Sequence, residues 1–469
     1  MLAKLHSIAI TGIDAELVEV ELDQTRGMPG LVMVGLPDKA VQESRDRVKS
    51  AILNSGYQFP NRKVVINLAP AELKKEGGLY DLPIALGMLI ASEQLEATDR
   101  AASTLILGEL ALDGTLRPAR GVLAAAITAR QRGYRCVMVP RENAREAAVL
   151  GNGLEVAGVR DLREAVGVLG GDLSLPDLPE ETEEAEPEHL LDFQDVRGHE
   201  GLKRALVVSA AGAHNIWLGG PPGSGKTMAA KRLPTILPGL SYDESLETTK
   251  IFSIAGELRP GMGLIRRRPF RAPHHSVSAP GLVGGGTYPM PGEVSLAHNG
   301  VLFLDEAPEF SRSILENLRQ PLEDGVVTIS RAAGTVTYPA RIMLVVSQNM
   351  CPCGRRGDPR KICRCSPMAI TQYLDRLSGP LLDRVDIHVE VPALRYDELR
   401  GERNGPTSAE MREQVEAARA VQARRFPDKV APVNASMSER DVETYCRLDA
   451  NGENLLRTAM DELGLSARG

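Results

Sequence analysis

Apolar and charged residues alternate along Leu17-Val18-Glu19-Val20-Glu21-Leu22, the period-two pattern of a strand with one buried face. Uninterrupted apolar runs follow at 31–35 and 64–68, short enough for strands covered on both sides. Between them the period changes: Val41, Val48, Ala51 and Ile52 fall on one side of a helix spanning 39–55. Residues 1–171 therefore predict an α/β domain. Further buried-strand runs occur at 214–218, 301–304 and 342–346, and helical spacing separates them, as in the stretch from Met228 to Leu233. This alternation over 193–392 predicts a parallel sheet covered on both faces. Residues 326–338 alternate as a hairpin around Ala332-Ala333-Gly334. Beyond 392 the pattern turns charged and helical, as in 408–425, which predicts a helical lid over 393–469.

A chain of 469 residues is too long for one core, so two or three domains are expected. The boundary falls at 172–192, which carries nine carboxylates and no Lys or Arg and reads as an acidic linker. Net charge is −7, but setting this segment aside leaves the remainder close to neutral. Arg266-Arg267-Arg268 with Arg271, and Arg355-Arg356 with Arg360-Lys361-Arg364, then offer contacts to DNA phosphates. A solvated surface or an acidic intersubunit face would use the same clusters, and charge alone leaves these readings open. The apolar runs are far shorter than a membrane span, and the N-terminus lacks the pattern of a secretory leader. A cytoplasmic protein without a membrane partner is expected. The chain stops after Leu465-Ser466-Ala467-Arg468-Gly469 without a closing helical pattern, so a truncated sequence is expected.

The chemistry is concentrated in two motifs. Gly220, Pro221, Pro222, Gly223, Ser224, Gly225, Lys226 and Thr227 form G-x-x-x-x-G-K-T, a phosphate loop entered by a strand and left by a helix. Its glycines let backbone N–H groups curl around phosphate oxygens, Lys226 reaches the β- and γ-phosphates, and Thr227 offers its hydroxyl to Mg²⁺. The run 301–304 ends in Asp305 and Glu306, placing two carboxylates at a buried strand's end. A metal-binding acid beside a water-polarising acid completes the site, so the pair of motifs predicts ATP hydrolysis.

FQDVRGHEGLKRALVVSAAGAHNIWLGGPPGSGKT, RPFRAPHHSVSAPGLVGGG, PGEVSLAHNGVLFLDEAPEF, LRQPLEDGVVTISRA and LSGPLLDRVDIHVEVP carry a resemblance covering nearly the whole chain. They resemble the magnesium-chelatase-like AAA+ ATPases, in particular the ComM (YifB) family. That resemblance implies a hexameric ATP-driven helicase that migrates DNA branches while incoming single strands are integrated in natural transformation. Single-stranded and branched DNA are the implied partners, with recombination proteins beside them, and ATP with Mg²⁺ the implied cofactors. Asp305 then holds Mg²⁺ together with Thr227, and Glu306 orients the attacking water. Asn349 matches the first sensor, Arg384 the arginine finger given to a neighbouring subunit, and Arg468 a second sensor. Arg384 also suits an ordinary helix-end ion pair. The segment 195–199 resembles the one that wraps adenine, with His199 where glutamine is expected.

In the proteins this chain resembles, a loop and a hairpin point into the ring's channel. Their counterparts are 271–292, with Arg271, His274 and His275, and the hairpin 326–338, with Arg331. The N-terminal unit resembles the proteolytic domain of Lon, yet Leu79 stands at the serine's place and Leu123 at the lysine's, so no peptidase activity is expected. Cys351, Cys353, Cys363 and Cys365 form two C-x-C pairs that suit a structural zinc, or else four reduced thiols in a glycine-bearing loop. Two other functions remain in view: a magnesium-chelatase motor subunit, and a DNA-binding scaffold gated by nucleotide.

Overall fold

The computed structural model describes residues 2–25, 27–182, 191–286, 289–331, 334–358, 361–394 and 405–463. Their contacts divide the chain into two compact units, residues 1–184 with 245–265, and residues 185–244 with 266–469. The division is not linear, because 245–265 leaves the second unit's run of sequence and packs into the first.

In the first unit, β1 (Leu2–Thr11) turns through Gly12 into β2 (Asp14–Thr25), its antiparallel neighbour. Val18, Val20 and Leu22 face inward between Glu19 and Glu21, as their alternation predicts. β3 (Gly30–Val34) runs parallel to β4 (Lys63–Ala69), which is antiparallel to β2. After β5 (Thr104–Ile106) come a short hairpin, β6 (Glu109–Leu110) with β7 (Leu116–Arg117), and then β8 (Cys136–Pro140) and β9 (Glu155–Val159). The seven-stranded sheet has the order β3-β4-β2-β1-β5-β8-β9. The predicted helix spans Lys39–Asn54, capped where Asp38 accepts from the Val41 N–H at 2.7 Å, and Val41, Val48, Ala51 and Ile52 are all buried.

The helix Asp81–Ala91 is apolar on nearly every side and is buried along its whole length. A Cβ at Gly87 would stand 2.3 Å from Leu22 Cδ1, so the glycine lets the helix lie close to the sheet without displacing that side chain. Asp81 is the exception within that apolar helix. Burial pushes its carboxyl up to about 6, against the opposing ion pair with Arg47 at 2.9 Å. Leu79 packs against the apolar cluster that includes Val122 and Ala125, and Leu123 is fully buried with its N–H donating to Glu146.

The segment 245–265 is fastened to this first unit by named contacts. Ser253 donates its hydroxyl to Glu146 and its carbonyl accepts from the Gly121 N–H. Lys250 pairs with Asp14 at 2.6 Å, and the Gly261 N–H donates to the Glu142 carbonyl at 3.0 Å. The acidic segment is likewise partly built into structure. Thr182 N–H donates to the Gly261 carbonyl at 2.9 Å, and at its other end Asp192 accepts from the Gln194 and Ser408 N–H groups.

The second unit is built on β10 (Ile216–Gly219), β11 (Phe270–Arg271), β12 (Val301–Leu304), β15 (Met343–Gln348) and β16 (Ile387–Glu390). Between β12 and β15 the chain makes a separate hairpin, β13 (Val326–Arg331) with β14 (Gly334–Pro339). The sheet order is β11-β12-β15-β10-β16, and every neighbouring pair is parallel. β12 and β15 are buried at every position, as their continuous apolar runs require. Helix Lys226–Ile236 follows β10, and helix Ser408–Arg425 of the predicted lid packs on it and on Glu200–Gly212. No described helix is long and apolar enough to cross a membrane.

Candidate active site

Parallel strands bring their C-terminal ends to one edge of the sheet, where open α/β sheets bind ligands. β10 and β12 are separated only by β15, so the phosphate loop, the acidic pair and the end of β15 meet there. The loop leaves β10 at Gly220, where a Cβ would stand 2.2 Å from the Val391 carbonyl oxygen. Gly225 has φ 91° and starts the helix Lys226–Ile236, directing the helix's first N–H groups into the loop. Gly223 also takes a positive φ, while Pro221 and Pro222 fix the loop's entry.

Lys226 lies inside this curve. Its ammonium donates to the Gly220 and Pro221 carbonyls at 2.8 and 2.9 Å and lies 3.4 Å from Asn349 Oδ1. Burial lowers its pKa, against the opposing pull of Asp305 and Glu306. Phosphate oxygens would replace those carbonyls as stronger acceptors. Ser224 keeps a buried hydroxyl without a hydrogen-bond partner inside the loop, a donor suited to the same oxygens.

The Thr227 hydroxyl donates to Asp305 Oδ2 at 2.9 Å, so the two proposed Mg²⁺-binding groups already share one point in space. The other carboxylate oxygen accepts from the Ser347 hydroxyl and from the Glu306 N–H. Thus Asp305 is oriented on both oxygens. A Mg²⁺ ion takes such a hydroxyl and carboxylate together with substrate phosphates, so the donors fit Mg-ATP. Glu306 is exposed and left-handed, with φ 49° and ψ 47°, a backbone that carries its carboxylate out of the strand's line. Its N–H is pinned at 3.1 Å to the Ser347 hydroxyl. Ser347 was missed by sequence reasoning, because within the apolar β15 run a single serine carries no pattern.

The other candidates take varied positions. In the adenine-like segment, Asp195 is held by Arg232 of the phosphate-loop helix at 3.2 Å. His199 is left-handed, and its ring lies 3.8 Å from where a Cβ at Gly225 would stand. Arg384 lies near the start of β16, ion-paired with Glu323 and nearly covered, with its side chain 10% exposed. This is the helix-end ion pair within one protomer. Arg468 lies outside the described residues, as do Arg360 and the hairpin residues Ala332 and Ala333.

Among the DNA-facing candidates, Arg271 departs from the expected loop position. It belongs to β11 and makes a two-pronged pair with Glu293 at 2.6 and 2.8 Å, because the central sheet extends further than glycine content suggests. His274 and His275 are exposed, with ring centroids 4.0 Å apart. Arg331 is exposed at the end of β13, and its guanidinium lies 3.4 Å from where a Cβ at Gly285 would stand. Tyr338 of β14 donates to the Pro289 carbonyl at 2.7 Å. Loop and hairpin therefore sit against each other.

The four clustered thiols converge too. Cys351, Cys353, Cys363 and Cys365 have all their sulfurs within 4.8 Å of one another.

Comparisons with known proteins identify the family. Residues 192–399 match the family model described as magnesium chelatase, subunit ChlI, residues 20–143 match subunit ChlI of Mg-chelatase, and 405–469 match the ChlI C-terminal model. Competence protein ComM of Haemophilus influenzae is 44% identical over all of this chain and 91% of its own length. The YifB protein of Escherichia coli is 43% identical over all of this chain and 90% of its own. Lon protease of Mycolicibacterium smegmatis is 23% identical over 29% of this chain and 18% of its own. The N-terminal unit is the Lon-like part, and the parallel sheet with its phosphate loop is the AAA+ part. The chain belongs to the ComM/YifB family of magnesium-chelatase-like AAA+ ATPases.

Proposed function

We propose that this ATPase works as a hexameric ring that couples ATP hydrolysis to movement along DNA, migrating branches as incoming single strands are integrated in natural transformation. The observation that carries the reading is the likeness of the whole of this chain to a competence protein, ComM, over 91% of that protein's length. In this reading Lys226 and the loop N–H groups hold the triphosphate, while Thr227 and Asp305 hold Mg²⁺, which neutralises phosphate charge. Glu306 aligns water with the γ-phosphate and Asn349 senses that phosphate. Arg384 leaves Glu323 and stabilises charge in the neighbouring subunit's site, so turnover depends on ring assembly. The hairpin end at Arg331 and the loop bearing His274 and His275 touch the DNA backbone with little sequence preference.

The test is ATP hydrolysis with and without single-stranded and branched DNA, beside Glu306→Gln and Arg384→Ala. DNA stimulation in the parent, with turnover reduced roughly 100-fold or more in Glu306→Gln, supports the motor. Arg384→Ala should be inactive alone yet supply a working Walker site to a ring containing Lys226→Ala subunits. Turnover indifferent to DNA would remove the helicase reading. The chelatase descriptions of the matching models favour the second reading, a motor subunit for metal insertion; stimulation only by a tetrapyrrole-binding partner would support it.

A further inference from the structure

We propose that Cys351, Cys353, Cys363 and Cys365 bind one Zn²⁺ as a structural tetrathiolate centre, and that this centre braces the phosphate loop and Asn349. The sulfur geometry carries the metal. A tetrahedral zinc with Zn–S bonds of about 2.3 Å has sulfurs about 3.8 Å apart. The separations here are 3.5 Å for Cys351–Cys353, 3.7 Å for Cys353–Cys363 and 3.6 Å for Cys363–Cys351. Disulfide bonds need about 2.05 Å, so these cysteines are not oxidised pairs.

The surroundings also suit thiolates. The Arg356 N–H points at Cys351 Sγ, 3.3 Å away. Such N–H contacts orient metal-bound sulfur. Four thiolates around Zn²⁺ leave a double negative charge, and Arg355, Arg356, Arg360, Lys361 and Arg364 supply opposite charge within the same stretch of sequence.

Position gives the centre its consequence for the ATPase site. Cys351 is fully buried two residues beyond Asn349, whose side chain neighbours Lys226. The Cys351 carbonyl accepts from the Gly354 N–H at 3.0 Å, turning the chain at φ 72°. There a Cβ would stand 2.9 Å from Pro222 of the phosphate loop. The knuckle thus lies directly on the loop that holds triphosphate, and a metal replaces the apolar core that so short a loop lacks.

Metal content of the full chain, purified under reducing conditions, tests the first half without any variant. The expected result is about one zinc per chain, and replacement by Co²⁺ should give the intense visible bands of tetrahedral cobalt thiolate. Metal-free protein that gives only octahedral cobalt absorption would overturn the site. For the second half, Cys353→Ser with Cys363→Ser should lose the cobalt bands and cut kcat roughly tenfold to a hundredfold, with ATP binding weakened. Cys446→Ser, outside the cluster, should keep the bands. A folded double variant, shown by an unchanged far-ultraviolet dichroism spectrum, with unaltered kcat and KM would overturn the bracing role. An unfolded double variant would support the metal as part of the fold, and removing zinc from the parent with a chelator then tests bracing by the same kinetic criteria. This rests on the ATPase reading only in its second half; metal content is independent of DNA.

Discussion

Asp305 illustrates how a single carboxylate is aimed by its neighbours. Thr227 takes one oxygen, while Ser347 and the Glu306 N–H take the other, so its rotamer is set before nucleotide arrives. Ser347→Ala should therefore leave Asp305 loosely oriented, raising the Mg²⁺ concentration for half-maximal ATP hydrolysis about tenfold. Titrating Mg²⁺ at saturating ATP checks this; an unchanged midpoint would show that Thr227 and Glu306 suffice. Asp81 makes a pH prediction of opposite character. Its folded pKa of about 6 lies above the unfolded value of 3.8, so between these values the folded chain binds more protons. Stability contributed by this group is complete below the unfolded value and is lost as pH rises through about 6. The difference in unfolding free energy between the parent and Asp81→Asn should thus favour the parent by about 1–2 kcal/mol more at pH 5 than at pH 7. Urea titrations at both pH values would measure it. Legibility followed locality at this scale. Lys226, Thr227, Asp305 and Glu306 were readable because each stands in a contiguous motif. Ser347 and Glu323 were not, since their roles come from pairings across the sheet or between distant turns.

Among the elements, helix Ser408–Arg425 depends on an N-terminal capping box in which Thr407 and Glu410 serve each other's backbone. The same end is tied to the core, where the Ser408 hydroxyl accepts from the Phe193 N–H at 2.9 Å and Asp192 accepts from the Ser408 N–H. Thr407→Ala should cost about 1 kcal/mol of stability, read as a lower urea midpoint. The hairpin divides its faces cleanly: Val327, Ile329 and Tyr338 are buried, while Thr328 faces Thr337 and Ser330 faces Thr335 across the exposed side. If Arg331 meets a phosphate, Arg331→Ala should lower the slope of DNA affinity against salt by about one counterion. Fluorescence anisotropy over a salt series would show it. Strands and hairpin were visible in the sequence because their periods are local. The reach of β11 to Arg271 was not, because a two-residue edge strand leaves no period to read.

For the whole molecule, the segment 245–265 has no sequence signal of its own, as its destination is fixed by partners such as Asp14, Gly121, Glu142 and Glu146. A reading along the chain places it with the residues beside it. A specific protease site introduced within 183–190 should therefore produce two fragments that elute together in gel filtration. Separate elution would show those contacts to be dispensable. The same topology governs how the protein can be dissected. An ATPase fragment begun at Phe193 still includes a stretch whose Ile251 and Ile254 are buried as part of the first unit, most of which is now deleted. Such a fragment is born with an orphaned apolar face and a tendency to aggregate, however intact its nucleotide site. A soluble motor core would require that stretch to be bridged by a short polar loop from Glu244 to Arg266, so that modular surgery here needs two cuts and a splice.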